Sequence, residues 1–214
     1  MSKLWIIGCS IAHGVGVDTG QRWGDIVAKQ LGTDAVFLTA EGSSIEWAAD
    51  QILRADINRN DHVCWGLTTP NRHLWYDDLG NTHHLLNVYY QNRPGFRDIV
   101  DPRHLVDLNL AYKAVNYVQQ VQNYLGKIQC QFAINYTLPG LDEHRQILID
   151  HLTDSPGFFI GYDETRVKYV DATTFLKRST PANDLFVDVG SDGFHPGPKQ
   201  HELYAEQFLK QLNK

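Results

Sequence analysis

Apolar residues follow two rhythms along this chain. Leu4–Ile7, Ala35–Thr39 and His62–Leu67 are mostly apolar runs of strand length, and Ile128, Cys130, Phe132 and Ile134 alternate with polar or small residues up to Asn135-Tyr136. Between them Trp23, Ile26, Val27, Gln30 and Leu31 recur at helical spacing ahead of Gly32, a residue suited to a C-terminal cap. Ser43 and Glu46 form a capping-box pattern before Ile45, Ala48, Ala49, Ile52 and Leu53. Strands separated by helices predict right-handed crossovers and a parallel sheet covered on both faces. Further on, Asp101-Pro102 opens a long helix that ends near Gly126, Asp142–Thr153 reads as another, and Val167–Val170 as a fifth strand. After Pro198, Tyr204, Ala205, Phe208 and Leu212 mark the face of a last helix.

The rhythm breaks between residues 68 and 100. Trp75, Tyr76, Tyr89, Tyr90 and Phe96 stand there among His73, His83 and His84 without a steady period. A connection of that length in a compact domain is usually functional, and its aromatic content argues against disorder. It leaves the C-terminal end of the third strand, so it emerges on the edge where every strand of a parallel sheet ends. Trp75 and Tyr76 are therefore expected to face a substrate cleft, with Tyr89, Tyr90 and Phe96 packing on the body. Adjacent His83 and His84 point apart on any regular element, which disfavours a metal site.

Two turns carry candidate chemistry. In Gly8-Cys9-Ser10-Ile11-Ala12-His13-Gly14, an apolar strand stops at a serine flanked by glycines, so Ser10 is the first exposed side chain beyond the strand end. A dinucleotide-binding turn does not fit, because Gly14 to Gly20 has one residue too many and begins well past the strand; a phosphate loop lacks its Gly-Lys-Ser/Thr. Near the other end stands Asp192-Gly193-Phe194-His195-Pro196. An Asp three residues before a His in such a turn can take one imidazole nitrogen and leave the other outward, the geometry of an oriented base.

Composition narrows the possibilities. A chain of 214 residues suits one domain spanning 1–214, and its formal net charge of −6 without a basic cluster disfavours nucleic acid. Cys9, Cys64 and Cys130 sit in or beside apolar runs without zinc-ligand spacing, so buried reduced thiols are expected. Neither a secretory leader nor a membrane span is recognisable, which predicts a soluble cytoplasmic protein, or a phage protein that lacks such signals too.

Taken together, the two turns resemble the SGNH, or GDSL-type, hydrolase family. Gly8-Cys9-Ser10 through Gly14 is similar to its G-D-S-L-x-x-G block, Gly42 matches the glycine of its second block, and Asp192-Gly193-Phe194-His195-Pro196 followed by His201 is similar to its closing D-x-x-H-P block. The resemblance implies a three-layer α/β/α flavodoxin-like domain with a five-stranded parallel sheet, and ester hydrolysis with neither metal nor cofactor. Ser10 would be the nucleophile, His195 the base and Asp192 its orienting carboxylate. The oxyanion would meet the N–H groups of Ser10 and Gly42 and a side chain of the third block. That block is G-x-N-D in the family and Gly66-Leu67-Thr68-Thr69-Pro70-Asn71 here. Asn71 is favoured as the better amide donor, with Thr68 the alternative in strict register. Cys9 stands where the family has Asp, and His13 is a candidate substrate contact. The expected substrate is a short-chain, acetyl-like ester on a small molecule or carbohydrate. The alternatives are a lipase or thioesterase of the same fold and a catalytically silent binding domain.

Overall fold

The computed structural model describes residues 2–70, 72–76, 82–86, 107–136, 142–159 and 186–213. Five strands form one sheet: β1 Lys3–Gly8, β2 Asp34–Thr39, β3 His62–Leu67, β6 Gln131–Tyr136 and β7 Phe158–Phe159, in the order β2-β1-β3-β6-β7. Every pair in it is parallel. The helices are α1 Ser10–His13, α2 Trp23–Leu31, α3 Ile45–Arg54, α4 Asp107–Lys127, α5 Asp142–Leu152 and α6 Pro198–Leu212. The five-stranded parallel sheet expected from the sequence is present. Its described fifth strand is Phe158–Phe159, whereas Val167–Val170 lies outside the described residues, as do Asp101-Pro102.

Alternation along the strands produces the three layers. Leu4 and Ile6 of β1, Cys64 of β3 and Ala133 of β6 face a core with Trp23, Val27 and Ala28 of α2 and Tyr204, Ala205 and Phe208 of α6. Trp5, Ile7, Val63, Trp65 and Ile134 face the opposite core, with Ile45, Ala48 and Ile52 of α3, Val118, Val121 and Leu125 of α4, and Leu148 and Leu152 of α5. Many of these side chains are fully buried, which contributes about 1.5–3 kcal/mol each for the large aliphatic and aromatic ones. Across the first core Trp23 stacks on Phe208, with ring centroids 4.4 Å apart and planes 14° from parallel, so α2 and α6 are packed as a pair. All three cysteines are free and buried, as expected.

At the N-terminal edge of the sheet, buried Asp61 accepts bonds from the Lys3 N–H (2.8 Å), the Trp5 indole (3.0 Å) and the Asn58 N–H (3.0 Å). Burial pushes its carboxyl up, but these donors outweigh burial and hold it below the ordinary range. A buried charge so paired is structural, and it lies on the far edge from Ser10.

The connection after β3 contains an antiparallel hairpin, β4 Arg72–Tyr76 and β5 Thr82–Leu86, with Trp75 opposite His83 and Tyr76 opposite Thr82. Among the described residues no helix is long and apolar enough to cross a membrane.

Candidate active site

The strand order places a switch point between β1 and β3, where successive crossovers leave in opposite directions and open a crevice beyond the strand ends. Gly8 and Gly66 are partners in register at that edge. A side chain is excluded at Gly8: its φ is 153°, and a Cβ would lie 2.8 Å from both the Ala12 Cβ and the Gly66 carbonyl oxygen. The chain therefore turns tightly after β1, and Ser10 begins α1 directly beyond it. Ser10 is 8% exposed, so it is buried rather than the exposed side chain the sequence predicts, because α1 begins at it and packs directly on the strand end. Its N–H, at the first position of a helical turn, has no acceptor within that turn.

The turn after β2 is tied to the same place. The Gly8 carbonyl accepts from the Ala40 N–H (3.3 Å) and the Ser43 hydroxyl (3.1 Å), which holds Gly42, at φ 73°, beside the strand end that leads to Ser10. His13 Nδ1 meets the Thr39 hydroxyl at 3.0 Å, so this exposed ring is anchored at the end of β2. Thr68 follows β3, is 3% exposed, and among the described residues its hydroxyl has no hydrogen-bond partner. Asn71 lies outside the described residues, and Trp75 and Tyr76 are described only as backbone of β4.

The second turn arrives from the other end of the chain. Asp188 accepts from the N–H groups of Lys199 (3.0 Å) and Gln200 (2.8 Å), supplying from a distance the cap that Gly197 cannot give α6. This cap was missed in the sequence because it stands outside any capping-box spacing. Val189 pairs with Pro196, and the Gly190 N–H donates to the His195 carbonyl (2.8 Å), closing a loop that presents residues 191–195. Within it His195 Nδ1 lies 2.5 Å from Asp192 Oδ2, while Asp192 Oδ1 accepts from the N–H groups of Phe194 and His195, each at 3.0 Å. Burial raises the Asp192 carboxyl, but the His195 ring and these two N–H donors more than offset it and hold it below the ordinary value. An ionised Asp192 on Nδ1 leaves Nε2 as the free nitrogen of the ring.

The two turns touch through glycines. Ser191 donates to the Gly16 carbonyl from its N–H (2.8 Å) and its hydroxyl (3.2 Å), across 175 positions of sequence. A Cβ on Gly16 would lie 2.9 Å from Asp192 Oδ1, and one on Gly190 would lie 2.5 Å from the Gly16 oxygen. The loop that follows Ser10 is thus in direct contact with the turn that carries the Asp192–His195 pair. Among the described residues no hydrogen bond joins Ser10 to His195 itself.

His201 of α6 is fully buried, and its Nδ1 accepts the Trp23 N–H at 3.1 Å. It caps α2 from α6, since Arg22 at the N-cap offers no side-chain bond.

No protein-family profile matches the sequence, and no curated protein matches it significantly. Solved structures do match in shape. TesA superposes with a TM-score of 0.56 at 13% identity, over 99% of this chain and 98% of that one. The psychrotrophic esterase EstA from Pseudoalteromonas sp. does so at 0.52 and 10% identity, over all of both chains. This chain has the SGNH hydrolase fold. An acetyl xylan esterase, Est2A from the rumen bacterium Butyrivibrio proteoclasticus, gives 0.51 at 16% identity over 99% of this chain but 63% of its own, so this chain spans less than two thirds of that protein.

Proposed function

We propose that this chain is a single-domain serine esterase that hydrolyses short acyl esters, with a carbohydrate as the alcohol. The observation that carries the reading is the Asp192–His195 pair, held in a turn bonded to the loop that follows Ser10. Ser10 Oγ attacks the acyl carbon while His195 Nε2 takes its proton, and Asp192 stabilises the imidazolium. Negative charge develops on the carbonyl oxygen and is met by the N–H groups of Ser10 and Gly42. We assign the third donor to Thr68, supported by its buried hydroxyl without a partner among the described residues. Collapse breaks the ester C–O bond, and His195 returns the proton to the departing alkoxide. Water, activated by the same ring, then attacks the acyl-serine and releases the acid.

The carbohydrate part is supported by the aromatic-rich connection that starts at this edge, with Trp75 and Tyr76 as stacking residues and His13 as a further contact, and by the likeness to an acetyl xylan esterase. The test is turnover of p-nitrophenyl acetate: the wild type hydrolyses it, and Ser10→Ala, folded by circular dichroism, reduces turnover by at least about 10⁴-fold. Equal rates in both proteins overturn the assignment.

A further inference from the structure

At the start of α3 a shallow cavity of about 20 Å³ is lined by Ile45 and Glu46 of α3, Pro70, Arg72 of β4, and Lys113 and Tyr117 of α4, among other described residues. Its position relative to the catalytic turn follows from bonds already described. Arg72 Nη1 donates to the Ser43 carbonyl (3.4 Å), and the Ser43 hydroxyl donates to the Gly8 carbonyl, two residues before Ser10.

Among the described residues the charges around this cavity do not balance. Glu46 is engaged by the Tyr117 hydroxyl at 2.8 Å; burial first, and then the bond to Glu46, push that phenol up to about 12, so it remains a donor. Among the described residues neither Arg72 nor Lys113 has a carboxylate partner, and the buried Arg72 Nε has no acceptor. A buried guanidinium N–H without an acceptor is costly, and one anion on Nε and the Lys113 ammonium would satisfy both. The space admits the head of a small polar group and excludes a sugar ring.

We infer that this cavity is a carboxylate subsite, and that the enzyme acts on esters that carry an acidic group next to the scissile bond. The inference rests on the esterase reading for its chemistry, but the binding claim stands by itself. A carboxylate can reach the site from either half of the ester, as a dicarboxylic acyl group or as a uronate-type alcohol.

Two matched pairs of substrates separate these sources. Mono-p-nitrophenyl succinate against p-nitrophenyl butyrate places the charge on the acyl half, and O-acetyl glucuronate against O-acetyl glucose places it on the alcohol half. The wild type is expected to favour the acidic member of one pair by about tenfold in kcat/KM, an advantage that shrinks with added salt. Arg72→Gln lowers that ratio to near unity and Lys113→Met, at an exposed position, lowers it about threefold. Calorimetry of Ser10→Ala with free succinate and free glucuronate reads binding without turnover, and Arg72→Gln in that background abolishes it. If p-nitrophenyl acetate is hydrolysed but neither acidic ester is favoured and neither acid binds, the subsite is wrong and the esterase stands. If an acid binds through Arg72 but no ester is turned over, the subsite stands and the esterase reading falls.

Discussion

His201 should make this protein lose stability between neutral and mildly acidic pH, by an amount that follows from its burial. Burial lowers its pKa from 6.5 to about 4; Asp188 opposes the shift, and His195 and Arg22 add to it. In the native state the ring is therefore neutral, as its contact requires: Nδ1 accepts the Trp23 N–H, and a proton on that nitrogen would remove the α2 cap. The unfolded chain protonates the same ring near 6.5, so between 6.5 and about 4 it holds the extra proton and stability falls as pH falls. The full difference, reached below pH 4, is about 3 kcal/mol at 1.36 kcal/mol per unit, and at pH 5 about 2 kcal/mol has been lost.

The assay is urea unfolding followed by tryptophan fluorescence at about pH 7.5 and about pH 5, for wild type and His201→Asn. Asparagine keeps an acceptor near the Nδ1 position and does not titrate. The variant is less stable than wild type at the higher pH because it leaves space in the core. Between the two conditions wild type should lose about 2 kcal/mol more than the variant does, since other titrating groups are common to both. Parallel losses would refute the argument, because they would mean that His201 is already protonated in the fold or free to leave its site.

Two further outcomes bear on the turns that the proposed function uses. Thr68→Val should lower kcat on p-nitrophenyl acetate by about 10²-fold with little change in KM, because its hydroxyl would meet charge that exists only in the transition state; an unaffected Thr68→Val beside a crippled Asn71→Ala would move the third donor to Asn71. Gly16→Ala, at φ 87° with its Cβ 2.9 Å from Asp192 Oδ1, should destabilise the fold by about 1–3 kcal/mol and lower kcat, measured by thermal unfolding and initial rates; wild-type values in both would mean the two turns do not depend on this contact.

The elements that could be read in the sequence are those whose burial writes a long enough period. β1, β2 and β3 show as apolar runs and β6 as an alternation, and α2, α3 and α6 each bury one face. The strand at Phe158–Phe159 was not legible, because two residues pairing with Ile134 and Asn135 leave no pattern to detect. Nor was the start of β6 at Gln131: Ile128 and Gln129 form a turn, with Gln129 at φ 56°, although their polarity continues the alternation. The hairpin of β4 and β5 was hidden for another reason. Its sequence mixes charged, aromatic and histidine residues without alternation, so Arg72 gave no sign that it would sit against Ser43. Ser10, Asp192 and His195 could be singled out because nucleophile turns and D-x-x-H-P turns need specific residues at fixed offsets, whereas a subsite built from three separate elements needs none.

The same packing explains how residues from the two ends of the chain come to share one edge. Trp23 begins α2 and Phe208 lies in α6; their stacked rings, and the His201 bond across 178 positions, fix the direction in which α6 leaves its N-terminus. The Asp188 cap then ties that N-terminus to the loop presenting His195, and Ser191 bonds that loop to Gly16. Each link is short, and none involves Ser10. The placement of His195 relative to the loop after Ser10 is set by a core stack and two short docks, so a substitution at Trp23 or Phe208 should alter that placement without touching either residue.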